Sequence, residues 1–159
     1  MSKLLIDPKI LSWGDTYYIY DLLGNIEYRV IGVIFSISRM EILFEKKIGR
    51  EKGMIRRRFF RLFKTYEIQI GRKPQGTVKK RYFFLRPRYI LDFRGWRIEG
   101  DIEKLEYSIY DNSTCVANIT KNPSKQGDAY VLDIQDEQDE IPAIMAAIAI
   151  YKARGRKKN

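Results

Sequence analysis

The chain has 159 residues, with 30 Lys and Arg against 20 Asp and Glu, one Cys and no His. That length suits one domain with a sizeable core. The missing His and the lone Cys115 exclude Ser-His and Cys-His catalysis, His-ligated metals, a thiolate zinc site and an internal disulfide.

In chain order, the start "MSKLLIDPKI" holds only Leu4-Leu5-Ile6 before Asp7. This is too short for the apolar core of a signal peptide, and it reads as a first strand. With a single Cys, a reducing, cytoplasmic setting is expected. Six segments then share a period-two pattern of an apolar residue, any residue, and Ile or Leu. They open at Tyr17, Met40, Tyr66, Tyr89, Tyr107 and Tyr130. Such alternation is a strand signal. The first five are each followed by turn chemistry: Leu23-Gly24-Asn25, Gly49 to Gly53, Gly71 to Gly76, Arg94-Gly95 and Asp111-Asn112-Ser113. Returning strands are expected at Ile26–Gly32, Met54–Phe60, Thr77–Phe83, Trp96–Asp101 and Cys115–Lys121. The unit is a β-hairpin repeated through the chain, about twelve strands in meander order. An apolar residue stands six before the opening Tyr (Leu11, Phe60, Phe83), so Phe60 and Phe83 read as core or turn packing. Phe35 stands six before Glu41, one residue out of step with Met40.

The last segment differs. Asp136, Glu137, Asp139 and Glu140 precede an apolar run from Ile141 to Tyr151, and Lys152, Arg154, Arg156, Lys157 and Lys158 follow. Acids first and bases last suit a helix dipole, and Pro142 belongs in the first turn. The helix is expected over about residues 140–152. It is apolar on every side yet too short to span a bilayer, so it belongs inside protein. Closing the meander around it would fill the interior and remove sticky edges. The fold class expected is mainly β: a closed antiparallel barrel of about twelve strands around a buried hydrophobic C-terminal helix. One domain covers residues 1–152, and 153–159 form a basic, disordered tail.

The run "WRIEGDIEKLEYSIYDN" (Trp96, Gly100, Asp101, Tyr107, Ile109, Asp111) resembles the central motif of the LURP-one-related proteins, small bacterial members included. "SWGDTYYIYD", "FKTYEI", "RPRYIL" and "GDAYVLDI" are similar to that family as well, so the resemblance covers nearly the whole chain. It implies the Tubby C-terminal-like fold, a twelve-stranded barrel around a C-terminal helix. The wider superfamily includes phosphoinositide-binding Tubby domains and phospholipid scramblases. The resemblance supplies no catalytic motif. The heavy Arg content of residues 50–61 and the basic tail depart from the pattern of small members.

Charge supplies the candidate sites. Residues 50–88 hold 14 Lys and Arg against Glu51 and Glu67, whereas residues 101–140 hold 3 cations and 10 acids. Such polarity suggests an anionic partner. Parity sorts the cations. Val30, Ile55, Val78 and Ile119 occupy equivalent inward positions, so Arg57, Lys80 and Lys121 point inward toward one mouth. Arg56, Arg58, Arg61, Lys64, Lys79 and Arg81 read as outward, and Arg86 and Arg88 join the candidate anion- or lipid-binding residues. Two readings of the inward set stay open: pairing with Asp136 to Glu140, or a cationic mouth for an anionic headgroup. Three readings of the outward set stay open: a solvated face, a basic face for anionic lipid, or a face for nucleic acid. Phe63 and Phe84 would insert at a membrane interface if exposed. Nucleic acid is disfavoured, because no recognised binding motif accompanies the charge. Asp101 reads as a turn cap, Cys115 as a small buried residue, and Asp21, Asp92, Asp111 and Asp133 as strand-end residues. The expectation is a non-enzymatic cytoplasmic barrel with no transmembrane segment, no metal and no cofactor. It would sit peripherally on anionic phospholipid at the inner membrane face. A protein- or nucleic-acid-interaction module is the alternative, with a small-molecule carrier or enzyme behind it.

Overall fold

The structure is a computed structural model, and its description covers residues 2–7, 16–35, 38–58, 62–122 and 129–155. Twelve strands follow one another: β1 Ser2–Ile6, β2 Thr16–Asp21, β3 Ile26–Phe35, β4 Ser38–Glu45, β5 Glu51–Arg58, β6 Lys64–Ile70, β7 Lys73–Phe83, β8 Arg86–Phe93, β9 Arg97–Asp101, β10 Glu106–Asp111, β11 Thr114–Lys121 and β12 Tyr130–Ile134. A short 3₁₀ turn, Glu137–Asp139, leads into the single helix α1, Glu140–Arg154. All ladders are antiparallel, and β1 pairs with β12, which joins the two ends of the meander. The sheet ends at β8 and β9, which do not pair with each other, so the barrel is nearly closed.

The alternation seen in the sequence is the alternation of burial. Ile19, Val30, Leu43, Ile55, Ile68, Val78, Ile109, Ile119 and Leu132 all point into the barrel and are fully buried. The apolar middle of α1 fills the space between them, and every residue from Pro142 to Arg154 is buried. The helix packs chiefly on β5, β6 and β7. Its approach there explains a glycine in mid-strand: a Cβ on Gly53 would stand 2.8 Å from the Met145 side chain. The helix ends are tied. Asp136 caps the 3₁₀ turn by accepting from Gln138 N, and the Tyr28 hydroxyl donates to Glu140 Oε2 at 2.7 Å. At the far end Gly155 takes a left-handed φ of 78°, and its N–H donates to Tyr151 O.

Three expectations change. The helix runs two residues further, so Ala153 and Arg154 are buried helix rather than tail. Of the two roles read for Phe83, core is excluded and turn packing holds. It is 57% exposed, because β7 and β8 continue beyond the end of the helix as a two-stranded ribbon, and its ring packs edge-on against Phe84 with centroids 4.6 Å apart. Phe60 and Arg61 lie outside the described residues, as does the tail from 156. Cys115 is half-buried rather than buried, with Sγ near Ala117 O.

Candidate anion-binding site

The residues of interest gather at the barrel mouth that holds the C-terminal end of α1. Five of the six repeat positions facing the helix end are Tyr: Tyr17, Tyr66, Tyr89, Tyr107 and Tyr130. The sixth is Glu41, six residues after Phe35, and not Met40. Glu41 is buried and forms an ion pair with Lys152 of α1, while the Tyr17 hydroxyl donates to Glu41 Oε2 at 3.3 Å. Burial holds the Glu41 carboxyl above its usual value, and the Lys152 charge opposes that rise. Neither residue stood out as a site in the sequence. The six-residue offset from Phe35 was the available signal for Glu41, and a lysine at a helix end resembles a solvated one.

Arg57 and Lys80 follow the inward row, as parity requires, but their surroundings differ from those expected. They lie at the C-terminal end of α1, opposite to the acids Asp136 to Glu140. Lys80 Nζ donates to Arg154 O at 2.9 Å, which satisfies an open carbonyl of the helix. It also lies over the rings of Tyr82 and Tyr89, at 5.5 and 5.7 Å. Lys121 follows the same parity but is exposed at the end of β11. Lys64 requires a correction: it stands two residues before the inward Tyr66 and directly opposite Lys80, so it belongs to the inner row. Burial lowers its pKa, with Arg57, Lys80 and Lys152 adding to the effect. Arg154 closes the mouth from within. Its guanidinium donates twice to Glu103 O, at 3.1 and 2.8 Å.

The outward cations occupy the β5–β6–β7 face. Arg58 is ion-paired with Glu67, which is buried on this outer side and also accepts from Gln69 Nε2 at 2.7 Å. Arg56 stands directly opposite Glu67 across the ladder. Arg81 lies over the Phe63 ring at 4.6 Å. Arg58, Leu62, Phe63, Lys79 and Arg81 line a groove of 350 Å³. Beyond it projects the β7–β8 ribbon. Arg81 opposes Arg88, Tyr82 opposes Pro87, Phe83 opposes Arg86, and the turn is Phe84-Leu85. Both turn residues have positive φ, 48° and 65°, and they are 87% and 94% exposed. Leu62 nearby is 91% exposed.

Two of the carboxylates named in the sequence serve their own turns. Asp21 accepts from Leu23 N, Asn25 N and Asn25 Nδ2 within its own turn. Asp101 caps its turn by accepting from Lys104 N at 3.1 Å. Among the described residues no His, Cys, Asp and Glu group has metal-binding geometry, and no helix is long and apolar enough to cross a membrane.

A family model described as LURP-one-related matches residues 2–151. The chain belongs to the LURP-one-related family. Among relatives of this LURP-one-related chain, the uncharacterized protein YxjI of Bacillus subtilis (strain 168) is 29% identical over 150 residues, covering 94% of this chain and 91% of YxjI. A crystal structure of the Arabidopsis thaliana protein AT5G01750 superposes with a TM-score of 0.59 at 17% identity, covering 93% of this chain and 88% of that one. That likeness speaks to the fold alone.

Proposed function

We propose that this LURP-one-related barrel is a non-enzymatic module of the cytoplasm that docks peripherally on anionic phospholipid. The observation that carries the reading is the β7–β8 ribbon. Three choices in it oppose stability in water. Phe84 and Leu85 adopt left-handed conformations that a tight hairpin normally gives to Asn and Gly. They expose apolar side chains at the tip. Arg81 and Arg88 set like charges opposite one another. All three become favourable at an anionic bilayer: the tip enters the interface, and the arginines meet headgroup phosphates. Arg58 is held by Glu67, and Arg56, Lys79, Arg81, Arg86 and Arg88 then supply the surrounding charge. Each contributes about 1 kcal/mol near such a surface, which suits reversible, salt-sensitive attachment. The non-enzymatic part rests on the absence of His and on the turn roles of Asp21 and Asp101.

Flotation with vesicles tests this. The protein is expected to float with phosphatidylserine vesicles, not with phosphatidylcholine alone, and to be released by salt. Phe84→Ser with Leu85→Ser, or Arg81→Glu with Arg88→Glu, is expected to abolish flotation. No flotation of the native protein at low salt overturns the proposal. Retention on nucleic acid with vesicles inert would point to the other class of partner.

A further inference from the structure

The inner row at the same mouth carries a second anomaly, separate from the ribbon. Lys64 and Lys80 are directly opposed on adjacent strands and share the inward face. Directly opposed like charges destabilise an antiparallel pair. Arg57 stands at the next inward position, opposite Tyr66. Burial should make such a cluster worse, and Lys64 answers with a lowered pKa. Some of the charge is balanced. Lys152 has Glu41, and Lys80 has the carbonyl of Arg154 and the negative end of the α1 dipole. Lys64 differs. Its Nζ sits beside Gly155, the helix cap, and forms no hydrogen bond or ion pair among the described residues. Arg57, Lys64 and Lys80 are each half-buried. A small anion can therefore reach them, and a flat surface would touch them poorly.

We infer that this mouth binds a phosphate monoester group, with Lys64 and Lys80 as charge partners and Arg57 beside them. A monoester carries up to two negative charges on a compact tetrahedron, which suits two opposed ammonium groups. Arg57, at the next inward position, adds positive charge beside them. Bound phosphate turns the repulsion between Lys64 and Lys80 into shared attraction. The phosphate can arrive on a lipid headgroup or on a soluble compound. The inference does not depend on the membrane reading, because the ligand group is the same in both cases.

Isothermal titration of the full chain with inorganic phosphate is the first arm. Saturable binding is expected, weakened about tenfold or more by Lys64→Gln. Lys64→Gln removes a like-charge contact, so the variant should fold at least as well as the native chain. Lys80→Met, a second variant, is also expected to weaken binding. Lys46→Gln with Lys47→Gln removes exposed charge at the opposite end of the barrel and should leave binding unchanged. The second arm compares phosphatidic acid with phosphatidylserine vesicles at matched surface charge. A preference for phosphatidic acid that Lys64→Gln erases identifies a lipid source. Phosphate binding without that preference identifies a soluble one. Failure to float with any vesicle while phosphate still binds removes the membrane reading and leaves this one standing. The inference is overturned if the native chain neither saturates with phosphate nor prefers phosphatidic acid, or if Lys64→Gln behaves as native.

Discussion

Glu41 and Lys152 form an ion pair inside the barrel, joining β4 to the last turns of α1 at a position where five other repeats place Tyr. Two charges removed from water cost more than a comparable apolar contact, yet losing one partner costs more still. Glu41→Gln is therefore expected to destabilise the protein by about 3–5 kcal/mol. Glu41→Gln combined with Lys152→Met should recover most of that loss. Urea denaturation of the two variants and the native chain measures both effects. Equal losses for single and double variants would show that the pair does not act as a unit.

The buried and half-buried tyrosines set an alkaline limit. Burial raises the pKa of Tyr17, Tyr28, Tyr66, Tyr89, Tyr107 and Tyr130 above the ordinary 10.0, with Tyr66 pushed up to about 12. Between the unfolded and folded values, the native state holds more protons than the unfolded chain. Stability is thus intact below pH 10 and falls as pH rises from there. Cooperative unfolding is expected between about pH 10 and 12, tracked by tyrosinate absorbance together with far-UV circular dichroism. Ionisation completed below pH 10 without unfolding would contradict this.

The tip of the β7–β8 ribbon is expected to trade stability for attachment. Phe84→Asn with Leu85→Gly places residues tolerant of positive φ in the turn. It should stabilise the fold by about 1–2 kcal/mol while weakening vesicle binding. Thermal denaturation and flotation on one preparation measure the two effects. A destabilised variant would argue that the apolar tip packs for structural reasons.

Gly76 marks the closest approach of two backbones. A Cβ there would lie 2.2 Å from Asp92 O, and neither backbone can withdraw without breaking the β7–β8 ladder. Gly76→Ala is expected to cost about 3 kcal/mol or more. Gly53→Ala should cost less, because its nearest obstacle is the flexible end of Met145. Comparing their unfolding midpoints checks the order.

The architecture was legible because it is repetitive. Period-two burial at Ile19, Ile68, Val78 and Ile109 and the all-round apolar Ala/Ile helix each demand one solution, and closure satisfies both. Parity also placed Arg56 and Arg57 on opposite faces. Periodicity names a face but not where a barrel ends, so core and turn packing stayed open for Phe83, whose ribbon outruns the helix. Lys64 read as outward because the preceding loop hid the phase of β6. Glu41 was obscured by Met40, which fitted the apolar pattern one residue early. Arg154 read as tail because nothing local signals that the Glu103 carbonyl awaits it.

The open seam has a further consequence. The two unpaired edges belong to consecutive strands, β8 and β9, joined by the turn at Arg94-Gly95, whereas the terminal strands β1 and β12 pair with each other. A chain severed between Arg94 and Gly95 loses no ladder. Its first fragment holds the strands that cradle the helix, and its second brings the helix itself. The two halves carry complementary surfaces, so they are suited to reassembly from separate fragments. Chain ends moved to that turn would leave the barrel's wiring unbroken.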